Sequence, residues 1–226
     1  MKNKYKTQLI DYLSGFVTEN RLEKLNTVIK SRTKHITIVL EDIYQPHNAS
    51  AVLRSCDCTG IQDIHIIENE NTYQVNPDVA LGSSKWVTLF KYNSTVNNTL
   101  NCIQHLKKQG YRIVATTPHK NDCLLDDLPL EQKTALFFGT ELDGISADVS
   151  EHADGFVKIP MQGFTESYNI SVSAAICLYT LTQRLRKSDI NWRLNDEEVT
   201  DIKLQWLKNT IRDAVLIEKE FQKKFK

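Results

Sequence analysis

Three short clusters hold the side chains able to do chemistry. "YQPHNASAVLR" (44–54) sets the amide Asn48 six residues ahead of the guanidinium of Arg54, nearly two helical turns. "FFGTELDG" (137–144) puts the Glu141 carboxylate in a loop flanked by Gly139 and Gly144. "IPMQGFTESYNISVSAA" (159–175) places Ser167 and Asn169 at the mouth of a small-residue helix. Each residue has a plainer use: Asn48 and Ser167 as N-caps, Arg54 on the surface, Glu141 in a turn. Yet each cluster follows an apolar strand-like run, and three such loops at strand ends of one sheet argue for a shared site.

The usual phosphate motifs are missing. No two of the eight glycines are separated by a single residue, so the dinucleotide fingerprint GxGxxG is absent. "GTELDG" has P-loop spacing between its glycines, but Ile145 stands where the lysine is needed. The five cysteines include no CxxC pair and the six histidines no HxxxH, so neither a disulfide framework nor a metal site is expected.

The elements that must position these loops alternate. Strands are expected over 35–43, 63–68, 85–92, 111–118, 134–139 and 156–160. Helices are expected over 48–60, with Asn48 as N-cap, over 95–110, around 146–153 and from 168. That is an α/β domain with a mainly parallel sheet, whose sites lie at the carboxyl ends of the strands. One helix over 4–31 and another from Asn195 to the end fall outside the alternation. The second carries Val199, Ile202, Leu207, Ile211, Val215 and Leu216 at helical spacing.

Composition, 41% apolar and 25% charged, is that of a globular chain. No run of 18 apolar residues and no signal-peptide core occurs, so a cytoplasmic protein without a membrane partner is expected. Net charge is zero but uneven: +5 over residues 1–40, +3 over 183–226 and −8 between. Basic ends around an acidic middle suit a chain that offers its termini to a polyanion.

In order and spacing, "PHNASAVLRSCD", "FFGTELDGIS" and "IPMQGFTESYNISVSAAICLY" resemble the three motifs of the SpoU/TrmH family of RNA 2′-O-ribose methyltransferases, within the SPOUT superfamily. The likeness spans about 35–187. "RLEKLNTVIKSRTKHITIVLEDIYQPHN" and "LQWLKN" further resemble the branch that methylates guanosine 18 of the tRNA D-loop. The resemblance implies a C-terminal deep trefoil knot, S-adenosylmethionine bound largely through backbone groups, a homodimer and a tRNA substrate. The chain would divide into a basic helical extension (1–34), the knotted domain (35–187) and a C-terminal helical extension (188–226). Asn48, Arg54, Glu141, Ser167 and Asn169 would be catalytic, and Thr116, Gly139, Ile159, Met161 and Tyr168 would meet the cofactor. Arg184 and Arg186 match a basic pair that contacts RNA, and Arg21 belongs to the basic residues of the N-terminal extension that would add contacts.

The family's usual proton acceptor is the arginine of the first motif, here Arg54. Arginine stays protonated and has no acceptor to offer, so a clamp on phosphate is the better physical reading, with the acceptor left open. Histidine as a residue type changes charge near neutral pH, which makes His47, adjacent to Asn48, the other candidate, although the resemblance assigns it no role. Leu142-Asp143 stands where the tRNA branch often has a basic residue, and Tyr168 where leucine is commoner. The same chemistry on ribosomal RNA, or an RNA-binding module without turnover, are the alternative readings.

Overall fold

A computed structural model describes residues 2–118, 123–140 and 143–224. Two helices, α1 (Lys2–Ser14) and α2 (Glu19–Ile29), come first. Then follow β1 (Ile36–Glu41), α3 (Pro46–Thr59), β2 (Asp63–Ile67), the short α4 (Pro77–Ala80), β3 (Thr88–Tyr92) and α5 (Asn98–Lys108). Next come β4 (Arg112–Thr116), β5 (Cys123–Leu124), β6 (Thr134–Phe138), α6 (Ala147–His152), β7 (Gly155–Lys158) and α7 (Ile170–Lys187). The chain closes with α8 (Asp196–Thr210) and α9 (Ala214–Lys224).

The strands form one sheet in the order β3-β2-β1-β6-β4-β7-β5, and every pairing is parallel. Such a sheet needs apolar cover on both faces, which is why β1 and β6 read as near-continuous apolar runs and are buried throughout. Successive side chains take opposite faces. Ile36, Ile38, Leu40, Ile64, Ile66, Leu136 and Phe138 share one core with Val52 and Leu53 of α3 and Leu178 and Leu181 of α7. Val39, Ile67, Ile113, Ala135 and Phe137 share the other with Cys102, Ile103 and Leu106 of α5. A helix thus lies over each face, and the loops between strand ends and helix starts gather at one edge.

The chain makes two compact units, Thr33–Trp192 and a second built from both ends, Met1–Arg32 with Arg193–Lys226. Within the second, Leu9, Leu13, Leu25, Trp206 and Phe221 are buried. Trp206 also carries the buried Arg32 guanidinium over its ring, 5.2 Å from the centroid. Neither terminal helix is continuous as expected. Gly15 and Phe16 close α1 through bonds to Tyr12 and Leu13, and Thr18 starts α2 as an N-cap, its hydroxyl accepting from Arg21 N. Near the C-terminus Ile211 is extended and Asp213 O accepts from Leu216 N and Ile217 N, so a new helix begins on a new axis. The break turns Val215 and Leu216 out of the stripe that Ile202 and Leu207 bury. The start of α8 follows expectation: Asn195 and Glu198 form a reciprocal capping box, followed by acids that suit the helix dipole.

Candidate active site

A cavity of about 860 Å3 lies at the carboxyl ends of β4, β6 and β7, three neighbours in the sheet. Thr116, Gly139, Ile159, Met161, Ser167, Tyr168 and Asn169 line it, so seven of the ten residues expected to be catalytic or to meet a cofactor meet there.

The floor explains one of them. After β6 the backbone doubles back, Thr140 N donating to Gly144 O at 2.8 Å and Gly144 N to Thr140 O at 3.2 Å. A Cβ on Gly139 would lie 1.9 Å from Gly144 O and 2.2 Å from its carbonyl carbon. No side chain fits, because the obstacle is main chain and cannot swing away. Gly144, at φ +71°, makes the turn in the left-handed region that glycine favours. Glu141 and Leu142 lie outside the described residues.

Asn48 departs from its expected role. Helix α3 begins earlier, with Pro46 in the first turn and Gln45 at the cap position making no side-chain cap bond. Asn48 lies inside the first turn, 5% exposed, where it donates through Nδ2 to Gln45 Oε1 at 3.2 Å. Its Oδ1 accepts from Asn169 Nδ2, also at 3.2 Å. Asn169, and not Ser167, is the N-cap of α7. Its Oδ1 accepts from Ser171 N at 2.9 Å and from Ser171 Oγ at 2.6 Å. One amide therefore starts the helix with its oxygen and reaches the first motif with its nitrogen. Cap and site are the same residue. Ser167 and Tyr168 precede it, exposed on the cavity wall.

Arg54 is exposed on α3, and among the described residues no hydrogen bond or ion pair holds its head. Arg184 and Arg186 differ. Arg184 donates to the carbonyls of Leu125 at 3.0 Å and Leu128 at 2.8 Å, and Arg186 to Thr59 O at 2.7 Å with its guanidinium over Trp192. These guanidinium heads tie backbone carbonyls to α7, and partial burial lowers the pKa of Arg186. Arg21 is exposed on α2.

Sequence reasoning missed the supports. Glu41, buried at the end of β1, accepts from Thr99 Oγ1 at 2.6 Å and from Ser146 Oγ at 2.9 Å, and Ser146 lines the cavity. A carboxylate closing an otherwise apolar strand was the only available signal. Cys177 of α7 backs the cavity, and burial pushes its thiol up to about 12, leaving a neutral wall rather than a nucleophile. Among the described residues no group of three His, Cys, Asp or Glu is placed to hold a metal, and no helix is long and apolar enough to cross a membrane.

A parallel α/β sheet whose site is assembled by three loops, a glycine turn and a helix-capping asparagine defines the class: the chain belongs to the SpoU rRNA Methylase family, which residues 35–179 match. Within it, the chain is similar to the tRNA (guanosine(18)-2′-O)-methyltransferase of Borreliella burgdorferi, 45% identical over 92% of this chain and 94% of that protein. The crystal structure of the Aquifex aeolicus TrmH/SpoU tRNA modifying enzyme superposes with a TM-score of 0.74 at 31% identity, over 85% of this chain and 98% of that one. A 23S rRNA (guanosine-2′-O-)-methyltransferase of Shewanella oneidensis is 34% identical, but over 66% of this chain and 59% of that protein.

Proposed function

We propose that this chain transfers a methyl group from S-adenosylmethionine to the ribose 2′-hydroxyl of guanosine 18 in the tRNA D-loop. The observation that carries the reading is the Asn169–Asn48 hydrogen bond, which joins the first and third motifs beside the Gly139 turn. The close likeness to a tRNA enzyme over nearly the whole of both chains favours tRNA over ribosomal RNA, where the match spans little more than half of the relative.

The cavity fits the cofactor. Its volume is in the range of small-molecule sites, and Gly139 keeps its floor free of a side chain. Ile159 and Met161 offer apolar wall, and the carboxylates of Asp143 and Glu166 line it beside Lys158, which suits a ligand with cationic and anionic groups. When bound, S-adenosylmethionine supplies a methyl group activated on a sulfonium.

The rest falls to the chain's own residues. Backbone at Thr116, Gly139, Ile159, Met161 and Tyr168 holds the cofactor, and the apolar wall excludes water. Asn48 and Asn169 fix each other's amides so that Ser167 and Asn169 meet the ribose in one geometry, which is most of what a displacement at a reactive methyl requires. Arg54 clamps a phosphate of the target nucleotide and stabilises negative charge that develops on the 2′-oxygen. The resemblance assigns Glu141 of the second motif a further catalytic role.

RNA backbone contact belongs to Arg54 and to the exposed basic residues of the N-terminal extension, Arg21 among them. Arg184 and Arg186 serve the fold of α7 first, because their heads are held by carbonyls. On this reading residues 35–187 form the methyltransferase domain with a C-terminal trefoil knot, and 1–34 and 188–226 are helical extensions. The enzyme works in the cytoplasm as a homodimer. The packing of α7 against α3 after the long 159–169 connection supports the knot, and exposed Val172 and Tyr179 on α7 support the dimer.

The test is methyl transfer from labelled S-adenosylmethionine to an unmodified tRNA transcript, and to the same transcript with 2′-deoxyguanosine at position 18. Transfer to the first and none to the second is expected. Equal transfer to both would move the target elsewhere, and transfer only to ribosomal RNA would replace the substrate.

A further inference from the structure

The loop that enters α3 displays an aromatic ring for which the fold has no use. Tyr44 is 75% exposed, although Ile43 before it and Asn48 after it are both buried. The backbone on either side is firmly held. Asp42 sits at φ +49°, a conformation uncommon for a residue other than glycine, and is buried. Its Oδ1 accepts from Asn69 N at 2.7 Å and Glu70 N at 2.8 Å, its Oδ2 from Asn69 Nδ2 at 3.1 Å, and its carbonyl from Asn71 Nδ2 at 3.1 Å. On the far side Pro46 fixes the first turn of the helix, and the Gln45 side chain accepts from Asn48. Five residues, 43 to 47, therefore run between a held anchor and the buried Asn48. Tyr44, Gln45, Pro46 and His47 among them are exposed, and Tyr44 carries the largest apolar ring.

Its neighbours point to a ligand. Gln45, next to Tyr44, bonds Asn48, and Asn48 bonds the Asn169 that lines the cavity. Arg54 is exposed further along the same helix. An exposed ring in the loop that enters α3 and an exposed guanidinium on α3 itself offer a π-face and a cation, the two groups that single-stranded RNA engages sequence-tolerantly. A ribose buried in a cavity must also leave the regular stack, so the base beside it loses a stacking partner. A ring exposed in the loop whose next residue, Gln45, bonds Asn48 replaces that partner.

Resting on the methyltransferase reading above, we propose that Tyr44 is a stacking platform for an RNA base adjoining the methylated nucleotide, and so positions the substrate rather than the fold. The experiment compares wild type, Tyr44→Phe and Tyr44→Ala for tRNA binding, KM and kcat on tRNA, S-adenosylmethionine affinity, thermal midpoint and oligomeric state. Tyr44→Ala is expected to raise the tRNA Kd and KM by about tenfold or more, with kcat, cofactor affinity, thermal midpoint and assembly unchanged. Tyr44→Phe, which keeps the π-face, is expected to stay within about twofold of wild type. Wild-type behaviour of Tyr44→Ala overturns the proposal. So does a Phe variant as impaired as Ala, which would assign the effect to the hydroxyl, or a loss of the thermal midpoint or of the dimer, which would make the ring a packing residue. Wild type that binds tRNA without methylating it sinks the methyltransferase reading alone, because the Ala-to-Phe ratio of Kd still decides for Tyr44. Wild type that binds no RNA overturns both.

Discussion

The chemistry of single residues turns on which group each amide faces. Asn48 and Asn169 lie 121 positions apart, and their bond forms only when α3 and α7 are both in place. Replacing either with alanine leaves the other without this bond, so the losses are not independent. A double-mutant cycle with Asn48→Ala and Asn169→Ala should show a coupling of about 1 kcal/mol or more in the activation free energy for methyl transfer. Additive losses would mean the bond does not matter to the reaction. Gly139 makes a different kind of prediction, because its neighbour is backbone. Gly139→Ala should cost S-adenosylmethionine affinity by about a hundredfold or abolish it, read by calorimetry, since the Gly144 backbone must move to admit the methyl. Retained affinity would place the cofactor elsewhere. All three residues could be picked from the sequence, but not their bonds and close contacts. Asn48 reads as a cap by type, and Pro46 two residues earlier had already claimed the helix start. Arg184 reads as an RNA contact by type, and the sequence does not show that Leu125 and Leu128 present carbonyls to it.

At the scale of elements, the strands were legible because a parallel sheet buried on both faces demands near-continuous apolar runs, and β1 and β6 supply them. Helix breaks were less so: nothing in the periodicity around Gly15 or Ile211 distinguishes a bend from an end. Two-residue β5 is too short to carry a pattern. One polar network among the elements was equally hidden. The Tyr92 hydroxyl lies 2.9 Å from His65 Nδ1 and 2.7 Å from His105 Nδ1, tying β2, β3 and α5 together. Burial, and then the nearby His105, hold the His65 imidazole down to about 3, whereas an unfolded chain titrates it near 6.5. Between those values the unfolded chain binds a proton that the folded chain refuses. The contribution is therefore fully present above about pH 6.5 and lost progressively as pH falls toward 3, at up to about 1.4 kcal/mol per pH unit. Denaturant titrations from roughly pH 7 to pH 4 should show a steeper loss for wild type than for His65→Gln. Parallel curves would show that His65 takes its proton without unfolding.

At the scale of the whole molecule, the apolar surface that folding leaves over becomes informative. Val172 and Tyr179 are seven residues apart on α7, so they share a face, and they are 44% and 65% exposed. The same helix buries Ala174, Leu178 and Leu181 in the core on its other side. A helix apolar on two faces needs two partners. The sheet and α3 supply one, and a second copy of the chain supplies the other in the homodimer proposed above. A two-fold contact doubles every residue in it, so a charge introduced at its centre meets its own image or the partner's apolar surface. The double variant Val172→Glu/Tyr179→Glu should sediment as a monomer at micromolar concentration while keeping the wild-type thermal midpoint to within a few degrees, because neither side chain contributes to the chain's own core. Methyl transfer should fall with the dimer if the partner completes the site, and a monomeric variant with full activity would show that each chain works alone. A variant that stays dimeric would move the interface off this face of α7.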